Sequence, residues 1–345
     1  MHNRLMDKHL HNVPFTMDDI AMELGISKST VSRALAGSRR ISEETKRRVA
    51  ECASAHGFIP NLAAKALASR KTLNIAAVMP FEASSVEMMF FHECLSGMVK
   101  KAAESDYSVL VCMSDADGGS ENQLEKVIQN RKVDGVVLTQ LRLGDRNLAY
   151  LKSEGFPFVV IGSVDDDGVC QVDSKMSECC EAFTRECVLR EMKAGVVGGR
   201  GSVLFVCGSL DVEANNNRLS GFLSGMENPV FDGIQYAVCT DSDDIDGSVC
   251  DGNWRLILCS DDVVCVNVMS VLKAAGLEVG KDVRLASFHD SVLLSTSNPP
   301  VSALKVDASW LGDVAVDSVL SLVAGKDVEK RRFVGCSFMF RDSTD

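Results

Sequence analysis

Apolar positions follow two rhythms in this chain, and the change falls near residue 73. Before it they recur three and four apart, the period of a helix face. Ile20 and Leu24 share one such face, and Gly25 closes that helix. Val31 and Leu35 share the next face, and Val49 and Ala53 a third, which Gly57 ends. Start signals agree with this division. Thr16 and Asp19 have the spacing of a capping box. Ser27 and Ser42 are good N-caps, since a hydroxyl accepts from an orphan backbone N–H. Glu43 and Glu44 suit the positive end of the third helix. Three short helices around a small core are predicted.

From Leu73 onward, short apolar runs alternate with helical stretches. Strands are expected at Asn74–Pro80, Ser108–Met113, Val133–Leu138 and Pro157–Gly162. Helices are expected between them, over Glu87–Asp106, Glu121–Arg131 and Leu148–Glu154. The pattern restarts after Asp173 with helices at Ser177–Lys193, Asn215–Met226 and Val263–Ala275. Its strands are Ser202–Gly208, Gln235–Val238, Leu256–Cys259 and Asp282–Phe288. A β-α-β-α order with nearly uniform apolar strands implies parallel sheets covered on both faces. Two similar α/β lobes follow, about 73–165 and 173–290, completed by a C-terminal crossover.

Two helices split by a glycine-containing turn are the helix-turn-helix arrangement, whose second helix enters the major groove of duplex DNA. Lys28, Ser29, Ser32 and Arg33 lie on or near the face opposite Val31. Charge supports this. Residues 1–72 hold 12 Lys and Arg against 7 Asp and Glu, a net of +5, whereas the whole chain carries −12. An acidic protein with one basic end is expected to meet nucleic acid at that end only. No apolar run approaches the roughly 20 residues that span a bilayer, and the start of the sequence has no apolar leader segment, so a cytoplasmic protein with no membrane contact is expected.

Residues 27–35 (Ser-Lys-Ser-Thr-Val-Ser-Arg-Ala-Leu), Ile41-Ser42-Glu43-Glu44-Thr45 and Phe58-Ile59-Pro60-Asn61 resemble the lactose-repressor (LacI/GalR) family of bacterial transcription regulators. Further matching motifs sit in the expected order: Lys132-Val-Asp-Gly, Val172-Asp173, Arg218-Leu-Ser-Gly-Phe, Cys259-Ser-Asp-Asp262, Ser287-Phe-His-Asp290 and Phe340-Arg-Asp-Ser-Thr. The resemblance covers nearly the whole chain. It implies an N-terminal all-α helix-turn-helix headpiece and an α/β two-lobed, periplasmic-binding-protein-like effector domain with parallel sheets. The expected organisation is a flexible extension (1–15), a DNA-binding domain (16–60), a hinge helix with linker (61–72) and an effector-binding and dimerisation domain (73–345).

The expected DNA-binding set is Thr16, Ser27, Lys28, Ser29, Thr30, Ser32 and Arg33, joined by Asn61, Ala64 and Leu67 in the hinge. Asn61 can cap a helix over Leu62–Ala68, which is too short to be stable alone and should form only conditionally. By resemblance, two such helices pair across a dimer in the minor groove, with Ala64 at their contact and Leu67 wedged into a central base step. The chain stops after the last matching motif without a heptad tail, so a homodimer rather than a tail-mediated tetramer is expected. By the same resemblance a small molecule, a sugar or sugar derivative first and a purine-like metabolite second, occupies the cleft between the lobes. Arg218 would hold ligand oxygens in its fork. Asp173, Asp262 and Asp290 would meet hydroxyls, and Phe81, Phe90 and Phe91 could supply an apolar wall, though each is as well placed for core.

Departures from the family pattern cluster at the cleft. Asp261 stands where asparagine is common and His289 where aspartate is common. Lys175 and Met176 replace a polar pair. The segment between Val238 and Trp254 is short and acidic, so the helix usual there reads as reduced or absent. The thirteen cysteines include no C-x-x-C pair, so reduced thiols without a metal are expected. His2, His9 and His11 read as part of a tail. No phosphate-binding glycine loop, nucleophile elbow or other catalytic set is present, so neither catalysis nor a cofactor is expected. A solute-binding protein shares the lobes but not the headpiece.

Overall fold

The computed structural model describes residues 15–35, 37–58, 71–80, 87–114, 123–197, 202–240, 245–251 and 254–345. The chain divides between Arg70 and Lys71 into a headpiece and a larger unit.

In the headpiece, α1 (Met17–Leu24), α2 (Lys28–Leu35) and α3 (Glu43–Ala55) enclose a small core of Ile20, Val31, Ala34, Val49, Cys52 and Ala53. Thr16 caps α1 in a reciprocal capping box with Asp19, and Gly25 ends it at φ +65°, a conformation that strains a residue with a Cβ. Ser27 Oγ accepts from Thr30 N at 3.1 Å, and Ser42 Oγ from Thr45 N at 3.2 Å. One expectation fails here. Leu35 is 36% exposed, and Ala34 takes the inner position three residues after Val31. On a helix only two turns long, i+3 and i+4 both lie near the buried face, and the smaller side chain fits the space available.

The larger unit contains two six-stranded sheets. The first has β1 (Asn74–Pro80), β2 (Ser108–Ser114), β3 (Gly135–Leu138), β4 (Phe158–Ile161) and β5 (Gln171–Asp173), joined by β11 (Arg331–Phe333). Its order is β11-β5-β4-β3-β1-β2, with every pair parallel. The second has β6 (Ser202–Val206), β7 (Gln235–Cys239), β8 (Trp254–Cys259), β9 (Arg284–Ser287), β10 (Ser302–Val306) and β12 (Cys336–Met339), in the order β12-β10-β9-β8-β6-β7. Only β12 runs antiparallel, with Ala303 opposite Met339. Central strands are buried along their length, because helices cover both faces.

Helices α4 (Glu87–Ala103), α5 (Gln123–Gln129) and α6 (Arg146–Glu154) belong to the first lobe. The second has α7 (Met176–Lys193), α8 (Glu213–Met226), α9 (Ile245–Asp251), α10 (Asp262–Ala274) and α11 (Val292–Ser295). The helix expected to be reduced or absent is therefore reduced: α9 keeps seven residues. The long α12 (Ala308–Val323) returns to the first lobe and packs on α4. That packing brings backbones together, since a Cβ on Gly312 would stand 2.0 Å from the Cys94 carbonyl oxygen, and one on Gly97 1.9 Å from that of Ser309.

Three crossovers join the lobes, at Asp173–Met176, Val306–Ala308 and Phe333–Cys336. Cys179 and Cys336, each just beyond a crossover, are linked by a disulfide across a sequence separation of 157. This corrects the expectation of uniformly reduced thiols. The pairing was illegible because the two crossovers meet only in the folded chain, at a Cα separation of 6.7 Å. The other eleven cysteines form no disulfide among the described residues, and all but Cys250 are buried.

Candidate functional site: an interlobe cleft and a helix-turn-helix face

The cleft opens where the carboxyl ends of both sheets face each other. Phe90, Thr139, Gln140 and Ser163 line it from the first lobe, and Asn215, Asn217, Arg218, Asp261, Asp262 and His289 from the second, with Asp173 at a crossover. It holds about 1080 Å³ of space, part of it open to solvent. The two rims touch: Leu143 N donates to Asp211 O at 2.9 Å, Glu213 N to Leu141 O at 3.1 Å, and Asn217 Nδ2 to Ser163 Oγ at 3.2 Å. This is a closed arrangement.

Arg218 is the only cation among these lining groups. Its Nη1 donates to Asn215 Oδ1 at 2.9 Å and lies 3.8 Å from Asp261 Oδ2. Its Nε is buried and has no hydrogen-bond partner among the described residues. Leaving such a donor unmet costs about 1–3 kcal/mol, so a ligand oxygen placed there gains that much. Asp261 caps α10 by accepting from Val264 N at 2.9 Å, and its other oxygen accepts from Ser260 Oγ at 2.7 Å. Asp262 is buried beside it. Asp173 is 6% exposed and accepts from Met176 N at 3.1 Å; burial raises its pKa above the usual carboxylate value, against the pull of nearby backbone donors. His289 packs edge-on to Phe90, with ring centroids 5.4 Å apart. Burial lowers its pKa, with Asp262 opposing and Arg218 assisting.

Of the expected cleft residues, Phe90, Asp173, Arg218 and Asp262 converge here, with Phe91 behind Phe90. Phe81 lies outside the described residues. Asp290 does not line the cleft. Its carboxylate is held bidentately by Arg341, at 2.7 and 2.8 Å. The arginine arrives from the C-terminal segment, so adjacency in sequence could not show which of His289 and Asp290 faces inward. Asp261 and His289 were visible only as departures, and they line the cleft.

On the headpiece, Ser27, Lys28, Ser29, Ser32 and Arg33 are exposed on one face, with Thr30 partly buried. Lys28 Nζ is 2.7 Å from Asp18 Oδ2, an exposed pair that DNA phosphate can replace. The Thr16 hydroxyl is engaged in its cap. Asn61, Ala64 and Leu67 lie outside the described residues.

A helix-turn-helix headpiece ahead of a two-lobed, cleft-bearing domain defines a DNA-binding transcription regulator with a periplasmic-binding-protein-like effector domain. Residues 16–61 match the bacterial regulatory proteins, lacI family, and residues 198–344 match the periplasmic binding protein-like domain. The HTH-type transcriptional regulator MalR of Staphylococcus xylosus is 25% identical over 325 residues, covering 91% of this chain and 93% of MalR. The fold matches the lac repressor dimer bound to operator and the anti-inducer ONPF, with a TM-score of 0.69 and 21% identity over 96% of this chain and 99% of that one. It also matches the transcriptional regulator CelR–cellobiose complex, with a TM-score of 0.65 and 21% identity over 95% and 99%. The chain belongs to the LacI family, a non-enzymatic family of transcriptional regulators. No helix among the described residues is long and apolar enough to cross a membrane.

Proposed function

We propose that this regulator is a cytoplasmic repressor of carbohydrate-utilisation genes, binding a pseudo-palindromic operator as a homodimer and responding to a sugar in the interlobe cleft. The observation that carries the reading is Arg218, buried with an unmet donor among Asn215, Asn217, Asp261 and Asp262. Convergent acceptors and donors beside an aromatic wall suit vicinal hydroxyls. Four carboxylates, Asp173, Glu213, Asp261 and Asp262, against one guanidinium disfavour phosphorylated ligands, so neutral sugars rank above sugar phosphates. The solved relative in complex with cellobiose supports a carbohydrate.

On the DNA side, Lys28, Ser29, Ser32 and Arg33 face the major groove, with Ser27, Thr30 and Thr16 at its phosphate edge and Asn61, Ala64 and Leu67 forming the hinge contact. Exposed Leu110 and Val111 on β2, at the free edge of the first sheet, and Val99 on α4 supply apolar surface for the dimer. The sugar acts by favouring one lobe arrangement, which requires unequal affinity for the two.

Fluorescence anisotropy on upstream DNA tests this, with panels of sugars, sugar phosphates and purines. A neutral sugar should weaken tight, salt-sensitive binding, and Arg33→Ala should lower affinity and reduce the salt slope by about one. A purine that strengthens binding would instead establish a co-repressor, with Phe90 and His289 as its stacking wall. DNA binding indifferent to every compound would refute the cleft assignment.

A further inference from the structure

The headpiece carries a side-chain cluster that DNA recognition leaves unused. Glu23 on α1 meets Cys52 on α3 and His56, the residue that caps the C-terminus of α3, and their ligand-type atoms (one carboxylate oxygen, one thiol sulfur, one imidazole nitrogen) all lie within 4.8 Å of one another. His56 Nε2 is 2.9 Å from Glu23 Oε2. Cys52 in the last turn of α3 and the C-cap residue His56 stand four apart in sequence, and the His56 N–H donates to Cys52 O at 3.2 Å. The Phe15 ring stacks on the imidazole at 4.2 Å and fixes its plane. Burial, and then the Glu23 charge, push the Cys52 thiol up to about 11.

We propose that Glu23, Cys52 and His56 form a binding site for a borderline-soft divalent cation of the zinc class, with a fourth position open to water. Sulfur, nitrogen and oxygen together select such an ion over magnesium or calcium, which take oxygen alone. Bonds of about 2.0–2.3 Å in a tetrahedron place ligand atoms roughly 3.3–3.8 Å apart. The 2.9 Å pair opens and the longest separation closes by torsion of half-exposed Glu23 and His56. The thiol loses its proton as the metal–sulfur bond forms, so each ion bound releases a proton. A reason for the ion lies in the size of the domain. The described headpiece core is Ile20, Val31, Ala34, Val49, Cys52 and Ala53, a set small enough to gain from a staple. The ion ties α1 to the C-terminal end of α3.

The test uses the full-length protein in a Cys250→Ser background, reduced and stripped with chelator, then titrated with cobalt(II) as the spectroscopic probe. The expected result is a thiolate-to-cobalt charge-transfer band saturating at one equivalent and abolished by added zinc. Cys52→Ala removes the band. His56→Gln, at a half-exposed position that should not disturb folding, weakens cobalt binding at least tenfold. Zinc at a hundred times its Kd raises the folding equilibrium of the headpiece about a hundredfold, an effect absent from His56→Gln. No thiolate band, a band that survives Cys52→Ala, or cobalt affinity unchanged in His56→Gln would overturn the assignment.

Discussion

Asp290 and Arg341 give the sharpest test of how this domain is held together. The two guanidinium–carboxylate bonds measure 2.7 and 2.8 Å, and the side chains are 7% and 15% exposed. Arg341 Nη1 also donates to Val301 O at 2.6 Å, which pins the C-terminal segment beside β10. Removing one partner of a buried pair leaves the other charge unpaired, at a cost of about 3–5 kcal/mol. At roughly 2–4 °C per kcal/mol for a domain of this size, Asp290→Ala lowers the Tm by roughly 6–20 °C. Arg341→Ala should cost a similar amount. The double variant should cost little more than either single one, giving a coupling close to a single variant's cost, about 3–5 kcal/mol. Thermal unfolding followed by circular dichroism, with both singles and the double, measures the cycle. Additive losses, or an Asp290→Ala variant within about 0.5 kcal/mol of wild type, would refute the argument that this acid is structural.

Two further outcomes follow from the packing and the cleft. Gly312→Ala should destabilise the domain by about 3 kcal/mol or more, because its Cβ meets the Cys94 carbonyl at 2.0 Å; Gly335→Ala, with open space around it, should be silent in the same unfolding assay. His289 has a folded pKa below its ordinary value of 6.5, so the unfolded chain binds the extra proton. The stability it contributes is present above pH 6.5 and is lost as pH falls towards the lower folded value. Denaturant titrations between pH 7.5 and 5 should show His289→Gln flattening that slope, and an unchanged slope would count against the burial of this ring.

Local patterning carried much of the architecture. The capping box at Thr16, the helix stop at Gly25 and the apolar runs of β1, β6 and β8 each depend on neighbours in sequence, and each falls where the pattern places it. Long-range features were hidden. The apolar stretch that becomes α12 gives no sign that it leaves the second lobe to pack on α4. Three residues of β11 extend the first sheet from a position 158 residues beyond β5, through parallel pairs such as Phe333 with Asp173. In the cleft, Arg218 and Asp262 were legible through the resemblance of Arg218-Leu-Ser-Gly-Phe and Cys259-Ser-Asp-Asp262 to the family's motifs. The inward choice of His289 over Asp290 depended on Arg341, which no short window contains. Leu35 failed for a smaller reason, since two neighbouring apolar positions competed for one inner place.

The Cys179–Cys336 bond closes a covalent ring of chain that takes in most of the second lobe together with α12 and β11 of the first. A single protease cut between these residues leaves one molecule rather than two fragments, until a thiol opens the ring. Because the bond joins the far ends of two crossovers, the lobes hang on two independent threads instead of three: the stapled pair and Val306–Ala308. A body suspended from two threads keeps one easy axis of rotation and resists twist about the others.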